Sequence, residues 1–272
     1  MMKKSLSIVA CFLLLGICQA QDESFKYLNQ PVPNDTPKIF MKGVAERITI
    51  SNDFKEIYFN DDEGVSYYKY SKNNWNGPFK LFKGFHCPAL SPDNKTLFLQ
   101  DNKPEAWYAI KNGDDWNAPV KFWNDPLTKH YLQETNFGHY YLSYDLTGPV
   151  HGNISKIISN KSDTMVQSLG KPINSPDNGI DFFVARDESY IIFVCHPGGV
   201  NGDLFISFHK IDGTWSAPEN LGSLIDTPAW EWGPYVTADN KYLFFTRGTS
   251  ATDIHIYWVQ INTLIDRLKK NE

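Results

Sequence analysis

The sequence has little cysteine, and half of it lies in one place. Of four cysteines in 272 residues, Cys11 and Cys18 fall within the first twenty, which leaves Cys87 and Cys195. Two cysteines cannot build the dense framework of a small disulfide scaffold. Their apolar settings, HCPAL and IIFVC, read as buried thiols rather than as a staple. Basic runs are missing too. The formal charge is −5 and no stripe of Lys or Arg precedes the last few residues, which excludes nucleic acid as a partner and charge-driven attachment to an anionic bilayer. The common catalytic signatures are absent. There is no His-Glu-x-x-His, no Cys-x-x-Cys after residue 20 and no Gly-x-Ser-x-Gly elbow. Asn60-Asp61-Asp62-Glu63-Gly64 is acidic but lacks the alternating ligand spacing of a calcium loop. Gly198-Gly199-Val200-Asn201-Gly202-Asp203 is glycine-rich but has no following lysine or helix to hold a phosphate. No metal and no cofactor is expected.

What is present begins with a leader. Lys3 and Lys4 precede the apolar run Ser5 to Ile17, and Cys18-Gln19-Ala20 puts small residues where a signal peptidase needs them. The run is too short to span a bilayer as a helix, which takes roughly 20 residues. Residues 1–20 are therefore expected to be an export signal cleaved after Ala20, placing the protein in the periplasm or outside the cell. Attachment to a membrane is expected only if Cys18 were lipidated, and Ile17 before it is larger than such a site favours.

The rest of the chain repeats itself. The units are ITISNDFKEIYF (48–59), PALSPDNKTLFL (88–99), QETNFGHYYLS (133–143), FFVARDESYIIFV (182–194) and PYVTADNKYLFF (234–245). Taking Asp53, Asp93, Asn136, Asp187 and Asp239 as equivalent, the spacings are 40, 43, 51 and 52 residues. Each unit is an apolar strand, a short polar turn and an alternating strand, which is a β-hairpin. In the second, Pro92 fixes φ, Asp93 bonds the local backbone and Asn94 tolerates a left-handed φ.

A second motif follows most hairpins: WNGPFKL (75–81), WNAPVKF (116–122), WSAPENL (215–221), and Lys171-Pro172-Ile173 without the tryptophan. Proline suits a sheet edge, so the motif reads as the outermost strand of a four-stranded sheet. An orphan copy, Thr36-Pro37-Lys38-Ile39-Phe40, stands at the N-terminus, whereas the last hairpin, ending in DIHIYWV, has none after it. The two halves match if the N-terminal strand completes the last sheet and so closes a ring without free edges. The expected fold is all-β: a five-bladed β-propeller over residues 35–260, with about 50 residues per blade. Residues 21–34 are expected as an extended lead-in and 261–272 as a short helix or tail.

SPDNKTLFL, TADNKYLFFTRG with DIHIYWV, and the spaced W-x-x-P-x-x-L resemble the WD-repeat-like blades of TolB-type propellers, and the secreted single-domain members in particular. The resemblance implies blade structure only and carries over no catalytic residue.

Function in a propeller concentrates at the mouth of the central channel. About seven residues before the turn aspartates lie Glu46, His86, Lys129-His130, Ile180-Asp181 and Glu231-Trp232; about eight after them lie Asp61, Asp101, Asp145, His196 and Arg247. His86, Asp181, His196, Glu231, Trp232 and Arg247 are the candidate ligand-binding residues, in a funnel suited to a small polar molecule, a glycan or a partner protein. Glu231-Trp232 with Trp230 suits stacking on a sugar or a peptide side chain, and equally suits packing between blades. A non-catalytic binding role is expected. The alternative is a glycoside hydrolase whose carboxylates would be Glu46, Asp181 and Glu231.

Overall fold

The computed structural model describes residues 25–44, 46–123, 129–144, 153–159, 164–175, 178–196, 201–250 and 252–270. The leader, Asp145 and the Gly198-Gly199-Val200 stretch lie outside them.

Strand β1 (Lys38–Lys42) opens the chain, and five hairpin-built sheets follow in sequence order. Blade 1 holds β2 (Thr49–Ile50), β3 (Glu56–Asp61), β4 (Gly64–Ser71) and β5 (Asn74–Lys83). Blade 2 holds β6 (Phe85–Leu90), β7 (Thr96–Asp101) and β8 (Ala106–Asn112), with the short β9 (Asp115–Trp116) and β10 (Val120–Lys121) both paired to β8. Blade 3 holds β11 (Lys129–Glu134), β12 (Tyr140–Tyr144), β13 (Asn153–Ser159) and β14 (Thr164–Ser168). Blade 4 holds β15 (Asn178–Val184), β16 (Tyr190–Cys195), β17 (Asp203–Phe208) and β18 (Glu219–Asn220). Blade 5 holds β19 (Trp230–Val236), β20 (Tyr242–Ser250) and β21 (Asp253–Gln260), and its outermost strand is β1. The fold is the expected five-bladed propeller.

The turns explain the repeat. In blades 1, 2 and 5 a serine or threonine hydroxyl bonds an aspartate two residues on, at 2.6–2.7 Å, and accepts a backbone N–H five residues on: Ser51–Asp53, Ser91–Asp93 and Thr237–Asp239. The residue after each aspartate is left-handed: Phe54, Asn94 and Asn240, at φ 59, 60 and 56. Gly138 and Glu188 hold the same place in blades 3 and 4, at φ 70 and 56. This corrects the third unit. Its aspartate-equivalent is Phe137 rather than Asn136, one residue later than the sequence pattern gave it.

A second correction concerns blade 3's outer strand, which is β14 and not the Lys171-Pro172-Ile173 segment. β14 pairs along β13 from Ser155↔Ser168 to Ser159↔Thr164, and Ile173 beyond it is fully buried in the core shared with blade 4. In blade 2, Pro119 interrupts the outer strand, leaving the two short pieces β9 and β10. Both cysteines are buried thiols, as their settings imply.

The blades are fastened by side chains of the inner strands. Thr49 Oγ1 accepts the Leu90 N–H at 3.2 Å (blades 1 and 2), and Gln133 bonds both backbone groups of Val184 (blades 3 and 4). Tyr235 Oη accepts the Ile50 N–H at 3.1 Å and donates to Ile50 O at 3.0 Å (blades 5 and 1). Phe183 meets Tyr235 edge-on between blades 4 and 5, with 5.8 Å between ring centroids.

Closure rests on β1. Ile39 pairs with Tyr257 and Met41 with Ile256, and Phe40 turns inward onto Trp258 and Phe244 at centroid distances of 5.2 and 5.0 Å. The lead-in is not simply extended. Lys26–Asn29 makes a tight left-handed turn that drops Tyr27 into the same cluster, 5.2 Å from Trp258. After β21, helix α1 (Asn262–Lys269) lays Ile265 and Leu268 on the core.

Phe40→Ala removes the side chain that anchors the closing strand. The expected loss is about 3–5 kcal/mol, as for a fully buried phenylalanine, read from urea unfolding. A loss under about 1 kcal/mol would mean that β1 does not hold the ring shut.

Candidate functional site

Six residues before the corrected turn position, each blade offers one residue to the channel: Arg47, Cys87, Tyr131, Asp181 and Gly233. All five are buried. The pairing register breaks here in every inner strand that spans the position: between His86 and Ala89, His130 and Gln133, Asn178 and Phe182, and Trp232 and Tyr235. Cys87, Tyr131 and Gly233 are left-handed, at φ 52, 56 and 62. Such bulges re-aim side chains and commonly stand beside functional sites. They point the five positions inward as a collar.

The collar is a polar cluster of unlike groups. The Tyr131 hydroxyl donates to Asp181, and the Gly233 N–H donates to Asp181 Oδ2 at 3.1 Å. Arg47, 2% exposed, donates to Phe182 O and lies over the Tyr131 ring with its guanidinium carbon 4.9 Å from the centroid. Its Nε and Nη1 have no hydrogen-bond partner. Glu46 sits just above: Oε2 accepts from Asn60 at 2.7 Å and from the Cys87 thiol at 3.4 Å. Burial pushes the Cys87 thiol well up, which keeps it a donor. Burial likewise pushes Asp181 up to about 6, against the opposing pull of Tyr131, Arg47 and the Gly233 N–H. Gly233 is required here, since a Cβ would stand 2.7 Å from Glu46 O.

Above the collar opens a cavity of about 650 Å³ between blades 4 and 5. Its floor is Glu46, Tyr131 and Asp181, and its walls carry His196, Trp230, Trp232, Glu231, Val194 and Ile254. Trp230 is 59% exposed at the lip. Three glycines make the walls flat. A Cβ on Gly179 would lie 3.0 Å from His196 Nε2, one on Gly202 would lie 2.8 Å from Val194 Cγ1 and 3.0 Å from His196 Cε1, and one on Gly248 would lie 3.2 Å from Trp232. None of the three has a positive φ, so space and not backbone freedom requires them.

Of the sequence candidates, Glu46, Asp181, His196, Glu231 and Trp232 line this one cavity. Arg247 stands behind it. Its Nε donates to Glu231 Oε1 at 2.7 Å, and Thr227 Oγ1 donates to the same oxygen at 2.7 Å. Glu231 is 0% exposed; burial raises its pKa, with Thr227 and Arg247 opposing. His86 lies off the cavity, bonded to Asn60 Nδ2 at 3.0 Å and Asn102 Oδ1 at 2.6 Å, one hydrogen bond removed from Glu46 through Asn60. Asp61 and Asp101 brace their own hairpins, and Lys129 is buried over Trp123. Asp203, Asp226 and Glu231 bring carboxylate oxygens within 4.8 Å of one another, a spacing that would admit a cation; Arg247 already supplies one to Glu231. Burial pushes Asp226 up to about 7.

The sequence reading missed Tyr131, Arg47 and the glycine walls. A signal for the first two existed: each lies six residues before its turn position, Arg47 before Asp53 and Tyr131 before Phe137. The glycines gave none, because what an added Cβ would meet depends on how side chains of the paired neighbouring strands are placed.

No family model matches the sequence, and no curated protein does. Among solved structures, TolB from Acinetobacter baumannii superposes with a TM-score of 0.51 at 15% identity, covering 78% of this chain and 53% of that one. The putative TolB from Agrobacterium tumefaciens gives 0.51 at 15% identity over 79% of this chain and 76% of that one. The chain shares the β-propeller fold with these TolB structures. At these identities the likeness is one of fold, and the chain spans about half the length of the Acinetobacter TolB. A third structure, of U3-55K, gives 0.50 at 8% identity over 85% of this chain and all of that one.

Asp181 gives the site a pH signature. Its folded pKa of about 6 lies above the ordinary 3.8, so the native state keeps a proton that the unfolded chain has released. The favourable contribution is complete below about pH 4 and is lost as pH rises through 6. The shift corresponds to roughly 3 kcal/mol. Urea unfolding should show stability falling by that order between pH 4 and pH 7, with Asp181→Asn flattening the slope. A slope unchanged in Asp181→Asn would assign the effect elsewhere.

Proposed function

We propose that this is an exported, non-catalytic propeller that captures a small polar ligand in the mouth cavity between blades 4 and 5. The observation that carries the reading is the cavity itself: about 650 Å³, with a hydrogen-bonding floor and aromatic walls cleared by glycines. That is the size and lining of a small-molecule site. Trp230 adds to it, being more than half exposed where a buried packing role would hide the ring. Export rests on the leader pattern, and TolB-type fold neighbours agree with a periplasmic setting.

A glycoside-hydrolase reading draws on one observation. Asp181, raised to about 6, lies in one cavity with Glu46 and Glu231, and a raised carboxyl suits a general acid. Against it, Glu231 is held by Arg247 and Thr227 and fully buried. Hydrolysis of aryl glycosides that disappears in Asp181→Asn would favour the enzyme.

The binding reading is checked by thermal-shift and tryptophan-fluorescence screening of mono- and disaccharides, amino acids, small carboxylates and small amines. At least one class should raise Tm and quench fluorescence, and Trp232→Ala should abolish both responses. A screen without a hit, or a hit indifferent to Trp232→Ala, would overturn it.

A further inference from the structure

Acidic groups outnumber basic ones around the cavity. Among the described residues lining or directly backing it, five carboxyl groups, Glu46, Asp181, Asp203, Asp226 and Glu231, meet two guanidinium groups, Arg47 and Arg247, and the His196 imidazole. Arg247 is spent on Glu231 and on the Ile225 carbonyl. Among the described residues, Glu46 has no cation within ion-pair distance and only the neutral groups of Asn60 and Cys87 on its carboxylate. The walls opposite are Trp230, Trp232 and His196. Indole faces present a negative quadrupole, so the two tryptophans and the floor favour the same sign of charge.

Arg47 acts on Asp181 from behind the floor and does not face the cavity. Its two unpartnered N–H groups belong to a side chain that lines a separate space of about 20 Å³ on the turn side of the collar, with Thr49, Gln133 and Tyr235, and it does not line the mouth cavity. That space is large enough for about one water molecule and too small for an organic anion.

We propose that the ligand of the mouth cavity is an organic ammonium ion, its N–H donors shared between the Glu46 and Asp181 carboxylates and its carbon stem lying against Trp230 and Trp232. The inference rests on the binding reading above and names its chemical class. The cavity volume leaves room for more than the charged head, so the ligand is an amine with a stem of several carbons rather than ammonium itself.

The test uses three probes with one five-carbon skeleton: cadaverine, 1,5-pentanediol and glutarate, titrated into the full-length exported protein by calorimetry beside the screening panel above. Cadaverine should bind while the diol and the dicarboxylate do not. Glu46→Gln, which keeps the shape and the Asn60 contact, should weaken cadaverine at least about ten-fold. Trp230→Ala, at the exposed lip, should weaken it several-fold with Tm unchanged. That second variant keeps the test valid if Glu46→Gln unfolds. Cadaverine that binds equally well to both variants would sit elsewhere and overturn the inference. Glutarate or a sugar binding in a Trp232-dependent way, with cadaverine silent, would overturn the ammonium assignment and leave the binding reading standing. Silence from every probe and from the wider panel would remove both.

Discussion

Pairing of β1 with β21 is the constraint on which the remainder hangs. Four sheets are built from hairpins next to one another in the chain, and each could form from local contacts. The fifth cannot, because its outer strand comes from the other end of the sequence. Phe40, set between Trp258 and Phe244, joins the two ends by burying aromatic surface from both. The same segment also delivers the site. A few residues after β1 the chain passes Glu46 and Arg47, which reach the cavity floor and the collar as it crosses from blade 5 to blade 1. Thr246 of blade 5 donates to Glu46 O at 2.7 Å, and Gly233 packs under that carbonyl. Closing the ring and assembling the floor are therefore one structural event.

The collar illustrates what a repeat can vary. The turn positions are chemically alike because they all solve one problem, a tight hairpin whose backbone must be satisfied by a hydroxyl and a carboxylate. The collar positions meet in space and need not resemble each other. They are a guanidinium, a thiol, a phenol, a carboxylate and a glycine, and their fit is mutual: the glycine N–H and the phenol complete the carboxylate, while the guanidinium stacks on the phenol ring. Repetition sets the framework, and departure from repetition makes the site.

That distinction explains what could be read in the sequence. Blade number, ring closure and the partner of the N-terminal strand all follow from local periodicity and from one orphan motif, and all three were legible. The site was legible in outline: Asp181, His196, Glu231 and Trp232 share a cavity because strand entries and exits at one end of a propeller must converge. Its detail was not. Placing the third turn on Asn136 shifted the count by one, so Lys129 and His130 took the place of Tyr131. Pro172 misled for a similar reason. A proline marks an edge or a turn equally well, and only the burial of Ile173 behind it tells the two apart. The glycine-cleared walls depend on how Gly179, Gly202 and Gly248 meet Val194, His196, Trp232 and Ile254 across paired strands, which no linear pattern records.

The carboxylates also divide by surroundings rather than by residue type. Glu231 is a brace: no exposed surface, an arginine on one oxygen and a threonine beside it, tying β19 to the following strand at the register pair Glu231↔Arg247. Asp181 and Glu46 have only neutral donors hydrogen-bonded to them, and they border open space. A fold seeking stability alone would place apolar groups at this crowded position, because desolvating a carboxyl works against folding at neutral pH. Cys87 and Gly233, at equivalent points of blades 2 and 5, show that small groups fit there. The carboxyl of Asp181 therefore works against stability at neutral pH, a conflict between local chemistry and folding of the kind that functional sites show.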